Sequence, residues 1–248
     1  MTSGRHFGGR FVVKDGRPTT EGRADDRGDA LRPGRGCTDQ HEGAPTDEAD
    51  LGWIDNVIRG LAPVNAAIVL EPDALTADCF NAHRAHLLRE AVHRLSSAGH
   101  SVYIDAGHPR WRSTGETAER LIASGIDEAE GFSINVSNRQ TTKENQAWGV
   151  ELSDLVGDRE FVIDVSRNGM GPPPDEPDRD DEWCNPTHQG LGVQPTTRPG
   201  LDRTAALLWI KRPGESDGLC GGETTYEFSP SQAATLIKNQ SAVPAPGQ

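Results

Sequence analysis

The sequence predicts an α/β fold built on parallel strands, and three observations support this prediction. Short apolar runs alternate with amphipathic segments of helical period along most of the chain. The apolar runs have the length and composition of strands that are buried on both faces, as parallel strands usually are. A polar cluster follows each run, which is typical of the carboxyl ends of parallel strands. With right-handed crossovers, these clusters would meet at one edge of the sheet.

Five strands and five helices can be assigned from residue 46 onward. In chain order they are a helix over 46–61, a strand over 66–70, a helix over 82–98, a strand over 100–104, a helix over 114–124, a strand over 131–136, a helix over 141–155, strands over 161–165 and 205–210, and a helix over 231–239. The apolar cluster at 11–13 could add a sixth strand. Five or six strands are few for a closed barrel. We predict one catalytic domain over 46–240, an irregular polar segment over 1–45 and a tail over 241–248.

The composition excludes several classes of partner. The formal net charge of the 248 residues is −13, which argues against nucleic acid and anionic membranes. No apolar run approaches the length of a membrane span, and residues 1–10 lack the apolar core of a secretory signal. We therefore expect a neutral ligand and no export signal in the chain as written.

The four cysteines leave two interpretations open. None of them forms a CxxC pair, so a zinc ribbon or a thioredoxin-type motif is not predicted. Two disulfides between sequential cysteines would each close a loop of roughly 40 residues and contribute roughly 4 kcal/mol in an oxidising compartment. Four buried free thiols are the alternative.

The strand exits carry the candidate site residues. They are Glu71 and Asp73; Asp105 and His108; Asn135 and Asn138; Asp164 and Arg167; and Lys211, Glu215 and Asp217. One such exit could be a polar turn, but five at one edge indicate a cleft with several carboxylates. Paired carboxylates hydrolyse glycosides because one arrives protonated while the other stays charged. Asp73 and Asp217 are the candidates for these two roles.

Metal or cofactor binding is an alternative use of the residues at the strand exits. Asp105 and His108 could be two ligands of a metal, but no HxH or HExxH spacing accompanies them, so we predict no metal. No nucleotide-binding or nucleophile-elbow motif is present, and no cofactor is predicted. Trp111 and Trp183 lie in polar loops, where an indole could stack on a sugar ring or pack partly in the core.

Six ordered segments together resemble glycoside hydrolase family 6, the cellulases that act on β-1,4-glucan. They are IVLEPDAL at 68–75, VYIDAGH at 102–108, NVSN at 135–138, FVIDVSRNG at 161–169, WCNP at 183–186 and WIKRPGESDG at 209–218. The resemblance covers about residues 46–236. It implies a distorted (β/α) barrel, incomplete here on its N-terminal side, and a secreted enzyme that works without metal or cofactor.

The resemblance also implies roles for individual residues. Asp73 resembles the proton donor, Asp217 the proposed base and Asp105 a carboxylate near the reacting sugar. Substrate contacts are implied for His108, Trp111, Asn135, Trp183, Lys211 and Glu215, and disulfides for Cys37 with Cys79 and Cys184 with Cys220. The implied reaction inverts the anomeric carbon of a cellulose-like glucan. The short stretch over 217–228 favours an open cleft, and hence an endoglucanase. We also predict that the protein is a monomer.

Two departures from the family pattern lower the activity that we expect. Gly36 and Ala30 stand where the family pattern has an Asp and a Tyr. The Asp is thought to keep the donor protonated, and Asp73 without it has less reason to hold a proton near neutral pH. The family's opening strands are replaced by residues 1–36, from which we expect a truncated or misread gene start. The alternative function is therefore a catalytically impaired, glucan-binding remnant.

Overall fold

In the part of the chain that the structure describes, six parallel strands in sequence order form one sheet. The computed structural model describes residues 11–14, 46–70, 73–174, 184–221 and 228–240. The strands are β1 (Phe11–Lys14), β2 (Ala67–Leu70), β3 (Ser101–Asp105), β4 (Gly131–Ile134), β5 (Glu160–Asp164) and β6 (Thr204–Leu208). The predicted α/β fold is confirmed, and the additional strand near Phe11 pairs in parallel with β2.

Five helices follow the predicted pattern. They are α1 (Asp47–Leu61), α2 (Ala82–Ser97), α3 (Thr114–Ala123), α4 (Thr142–Leu155) and α5 (Pro230–Gln240). The first four begin at a polar N-cap whose side-chain oxygen accepts a backbone N–H one turn ahead. At α4, Thr141 and Glu144 form a complete capping box. No helix of the described part is long and apolar enough to cross a membrane.

The sheet is buried on both faces. Alternate residues of β2, such as Ile68 and Leu70, pack against the helices, and Ala67 and Val69 belong to a second cluster on the opposite face. The helix-facing cluster includes Phe132 and its stacked neighbour on β5, whose ring centroids lie 5.3 Å apart. Burial on both faces explains why these strands are continuous apolar runs in the sequence.

The sheet does not close on itself within the described ranges. Each strand pairs with its neighbours in sequence, and β1 and β6 lie at opposite ends of the strand order. This open sheet agrees with the predicted incomplete barrel. Since all six strands are parallel, their carboxyl ends lie along one edge, and the residues that follow β2 to β6 form the candidate site there.

Candidate active site

Asp73 and Asp105 are in contact where β2 and β3 end. The backbone N–H of Asp73 donates to Oδ2 of Asp105 at 2.9 Å, and the Ser133 hydroxyl donates to Oδ1 at 3.2 Å. Asp105 is 1% exposed, whereas Asp73 is exposed to solvent. Burial, and then the negative charge of Asp73, raise the pKa of Asp105 to about 8. The Asp105 carboxyl therefore holds a proton at neutral pH.

The backbone of Asp73 is held in an uncommon conformation. Its φ is 69°, in the left-handed region that favours glycine. The Thr76 hydroxyl and the Ala77 N–H donate to the Asp73 carbonyl at 2.9 and 3.1 Å. A Cβ on Gly107 would lie 2.5 Å from the Thr76 methyl group, so this turn packs directly on the β3 exit. Backbone strain of this kind is concentrated at functional sites.

Asp217 lies in a buried cluster of basic side chains. Arg167 binds it through both guanidinium ends, at 2.7 Å to Oδ1 and 3.1 Å to Oδ2. Arg139 and the backbone N–H of Asn185 donate to Oδ2 at 3.0 and 3.1 Å. Burial alone would raise the pKa of Asp217, but Arg167, Arg139 and Lys211 outweigh it and lower the pKa to about 2. Asp217 is therefore ionised at neutral pH.

Lys211 and Glu215 border Asp217 after β6. The Lys211 ammonium lies 3.5 Å from Oε1 of Glu215 and 3.8 Å from Oδ1 of Asp217. Arg212 donates to the other Glu215 oxygen at 2.6 Å. Burial, and then the charge of Arg167, lower the pKa of Lys211. The cluster thus alternates positive and negative groups, which suits recognition of a polar, uncharged ligand.

His108 and Trp111 form an aromatic pair in the loop after β3. Their ring centroids are 5.3 Å apart with planes inclined at 34°, and the Trp111 side chain is 41% exposed. Burial, and then the charge of Arg110, lower the pKa of His108 to about 4, so the imidazole is neutral at neutral pH. An exposed indole supported by a neutral ring offers a flat apolar surface of the kind that stacks on sugars.

Asn135 is buried between the β4 and β5 exits. It is 0% exposed, and its amide N–H groups donate to the carbonyls of Asn138 and Asp164 at 3.2 and 2.9 Å. Its side-chain oxygen accepts the Gln140 N–H at 3.0 Å. Asn135 therefore joins the two exits through backbone groups, and its contact with substrate stays a prediction.

Asp164 is likewise an internal hub. Its carboxylate accepts backbone N–H groups at 2.8 to 3.2 Å from Ser137, Ser166, Ile210 and Lys211. Burial raises its pKa, and the N–H donors oppose that shift. The carboxylate therefore holds the exits of β4, β5 and β6 together. One of the residues that it binds is Lys211, whose ammonium borders Asp217.

The disulfide predictions are tested in part. Cys184 and Cys220 are bonded, with Cα atoms 6.0 Å apart, as predicted. Cys79 is also disulfide-bonded, and its predicted partner Cys37 lies outside the described residues. Trp183, Gly36, Ala30 and Glu71 lie outside them too.

Two residues of the Asp217 cluster were not among the candidate residues at the strand exits: Arg139 and Asn185. Asn185 accepts the Asp217 N–H at 2.8 Å and donates to the Gly218 carbonyl at 2.9 Å, which fixes the loop backbone. The signal that could have identified Arg139 is its position just beyond an apolar run, in a chain with an excess of carboxylates. Within the described ranges, no three His, Cys, Asp or Glu side chains are grouped so that they could hold a metal ion.

Comparisons with known proteins agree on one family. A sequence model of Glycosyl hydrolases family 6 matches residues 32–247. Endoglucanase A of Cellulomonas fimi is 41% identical over 196 residues, which cover 77% of this chain and 41% of that protein. Endoglucanase 1 of Streptomyces halstedii is 38% identical over 210 residues, which cover 79% and 62% respectively. The chain thus spans about half the length of these curated relatives.

A solved structure gives the same result in three dimensions. An endoglucanase of Mycobacterium tuberculosis, in complex with methyl-cellobiosyl-4-deoxy-4-thio-β-D-cellobioside, superposes with a TM-score of 0.76 at 43% identity. The match covers 82% of this chain and 71% of that one.

Proposed function

This chain belongs to glycosyl hydrolases family 6, and we propose that it hydrolyses internal β-1,4 bonds of cellulose or a related glucan with inversion at the anomeric carbon. The proposal is supported by relatives named endoglucanases and by a solved relative that holds a thio-linked cellobioside. The observation that carries it in this chain is the contact between exposed Asp73 and buried, protonated Asp105.

Asp73 is the proposed general acid. Cleavage of a glycosidic bond needs a proton on the leaving oxygen, and the donor must hold that proton before the reaction. Asp105 is buried next to Asp73 with a pKa raised by burial to about 8, so a proton is held beside Asp73 at neutral pH. Asp73 is the exposed member of the pair and delivers the proton, while Asp105 keeps a second negative charge from forming beside it.

Asp217 is the proposed base. Its Oδ2 accepts three N–H groups, from Arg167, Arg139 and Asn185. Its Oδ1 accepts one, from Arg167, and a carboxylate oxygen has two lone-pair positions. The attacking water is therefore assigned to Oδ1. The low pKa of this carboxylate makes it a weak base, so its main contribution is a fixed negative charge that orients water and stabilises the oxocarbenium-like sugar.

Trp111, supported by His108, is the proposed stacking surface for a glucose ring, and Lys211 and Glu215 are the proposed polar contacts. An open cleft, expected from the short stretch over 217–228, favours internal cleavage. A disulfide between Cys184 and Cys220 suits an oxidising compartment, so we place the working enzyme outside the cytoplasm. Action as a monomer stays a prediction.

The test is hydrolysis of carboxymethylcellulose by the oxidised chain, followed by viscosity and by release of reducing ends. Internal cleavage lowers viscosity early, before many ends appear. Asp73→Ala should reduce the rate by about 10²- to 10⁴-fold, the usual contribution of a general acid. The matched control is Asp202→Ala, because Asp202 is an exposed aspartate just before β6, at the opposite edge of the sheet.

Two results would overturn the proposal. One is a folded Asp73→Ala variant as active as wild type. The other is a folded wild-type chain that binds cello-oligosaccharides but releases no reducing ends, which would identify a binding remnant.

A further inference from the structure

Two arginines hold the loop that carries Asp73, and we propose that Arg112 and Arg120 are positioning residues for proton transfer by Asp73. The inference rests on the proposed function, in which Asp73 is the general acid. It concerns residues that lie outside the strand exits, on α3 and just before it.

The arginines bind three consecutive carbonyl groups of this loop. Arg112 donates through Nε to the Thr76 carbonyl at 2.7 Å. Arg120 donates through one nitrogen to the carbonyls of Leu75 and Ala77 at 2.7 and 3.0 Å. Hydrogen bonds from a charged donor are about twice as strong as neutral ones. The turn 75–77 is therefore fastened to α3 by its backbone, independently of its side chains.

Glu116 joins the two arginines into one unit. The same carboxylate oxygen accepts from Arg112 at 3.1 Å and from Arg120 at 2.6 Å. The Arg120 guanidinium also lies 4.9 Å from the centroid of the Phe80 ring. The two arginine side chains are 16% and 14% exposed, so water screens these contacts less than it screens ordinary surface pairs. The guanidinium groups are thus fixed from several sides.

The fastened turn determines where Asp73 points. Thr76 and Ala77 donate back to the Asp73 carbonyl, and Asp73 itself has a left-handed backbone. Such a conformation persists only where the surroundings over-determine it. Without the arginines, three carbonyls would lose their charged donors and Asp73 could relax to an ordinary conformation. The carboxyl would then move away from the leaving oxygen.

The same unit links the acid to the aromatic surface. Trp111 immediately precedes Arg112, so the chain runs from the exposed indole through one residue to the loop of Asp73. Arg112 thereby fixes the distance between a stacked sugar and the proton donor. A displacement of about 1 Å at a reacting group can lower the rate about 10²-fold.

The leaving group provides a test that a merely structural role would not pass. A glucan leaving group needs a proton, whereas 2,4-dinitrophenolate departs without one. Loss of acid positioning should therefore slow glucan hydrolysis and spare hydrolysis of 2,4-dinitrophenyl β-cellobioside. General loss of folded protein would slow both equally.

The experiment compares Arg112→Met and Arg120→Met with a matched control, Arg159→Met. Arg159 also binds two loop carbonyls, of Ala129 and Asp127 at 3.0 and 2.5 Å, but it does so at the amino edge of the sheet. For either test variant, kcat on soluble glucan should fall about 10- to 100-fold with KM within about 2-fold. The dinitrophenyl substrate should change by less than about 3-fold.

The control and a rescue variant complete the design. Arg159→Met should leave both rates unchanged, even if its stability falls. Arg120→Lys should recover part of the glucan rate, because an ammonium group can still donate to the carbonyls. Folding of each variant is checked by near-ultraviolet circular dichroism.

The inference would be overturned if folded Arg112 and Arg120 variants matched the Arg159 control, or if both substrates slowed equally. Asp73→Ala separates this failure from failure of the proposed function. If Asp73→Ala keeps the glucan rate, the acid assignment itself is wrong. If it loses that rate but spares the dinitrophenyl substrate, while the arginine variants do neither, only the positioning role is wrong.

Discussion

Replacement of Asp105 by asparagine should make the protein more stable at neutral pH and less active. Burial, with the charge of Asp73, raises the pKa of Asp105 from 3.8 to about 8. Between these values the folded state binds more protons than the unfolded state, so wild-type stability falls as the pH rises through this range. About 4 pKa units at about 1.4 kcal/mol each give roughly 6 kcal/mol above pH 8, and about 4 kcal/mol at pH 7.

Asparagine removes this loss because it cannot ionise. Its oxygen can still accept the Asp73 N–H, and its amide can donate to the Ser133 hydroxyl, so the hydrogen bonds to these two residues are retained. The assay is urea unfolding of the disulfide-intact protein at pH 4, 6 and 8, with exposed Asp202→Asn as the control. Relative to Asp105→Asn, wild type and the control should both lose stability as the pH rises across this range. If the free energy of unfolding had the same pH dependence in all three proteins, the assignment of a proton to folded Asp105 would be refuted.

Three further perturbations test other parts of the structure. Gly107→Ala should lower the free energy of unfolding in urea by about 2 to 4 kcal/mol and should lower the rate of glucan hydrolysis. The reason is that φ of Gly107 is 77° and the new Cβ would lie 2.5 Å from the Thr76 methyl group. An unchanged midpoint of urea unfolding would contradict this packing. His100 accepts the Ala66 N–H at 3.2 Å, and burial lowers its pKa below 6.5. The unfolded state therefore binds the proton more readily, and wild type should lose stability relative to His100→Gln as the pH falls below 6.5. An equal slope in the two proteins would count against this contribution of His100. Cys220→Ser should lower the free energy of unfolding by roughly 4 kcal/mol, because the disulfide spans 36 residues; a difference below about 1 kcal/mol would show that the bond does not constrain the unfolded chain.

Local signals made most of the fold predictable. The capping box of Thr141 and Glu144 fixes the start of α4 within four residues of sequence, so no distant contact is needed to place it. After Leu70 and after Ile104, an apolar run is followed directly by an acidic residue. This change is also local, so it marked the ends of two strands. Because parallel strands share one carboxyl edge, these exits also brought Asp73 and Asp105 together as expected.

The roles of polar residues at the exits were harder to predict, because their partners are distant in sequence. Asn135 and Asp164 look like site residues in the sequence, yet these hydrogen bonds reach 27 to 47 residues away and hold the exits together. Arg139 meets Asp217 across 78 residues, so nothing local indicated that pairing. The arginines that fasten the Asp73 loop were missed similarly, since they bind backbone carbonyls, which leave no sequence signature.

The central claim is that Asp73 protonates the leaving oxygen of a glucan that is cleaved with inversion. The most direct measurement is proton NMR of the first products released from cellopentaose, for wild type beside Asp73→Ala. The account predicts that wild type releases the α-anomer first, before mutarotation, and that Asp73→Ala releases almost none. Release of the β-anomer first, or an equal initial rate in the variant, would contradict it.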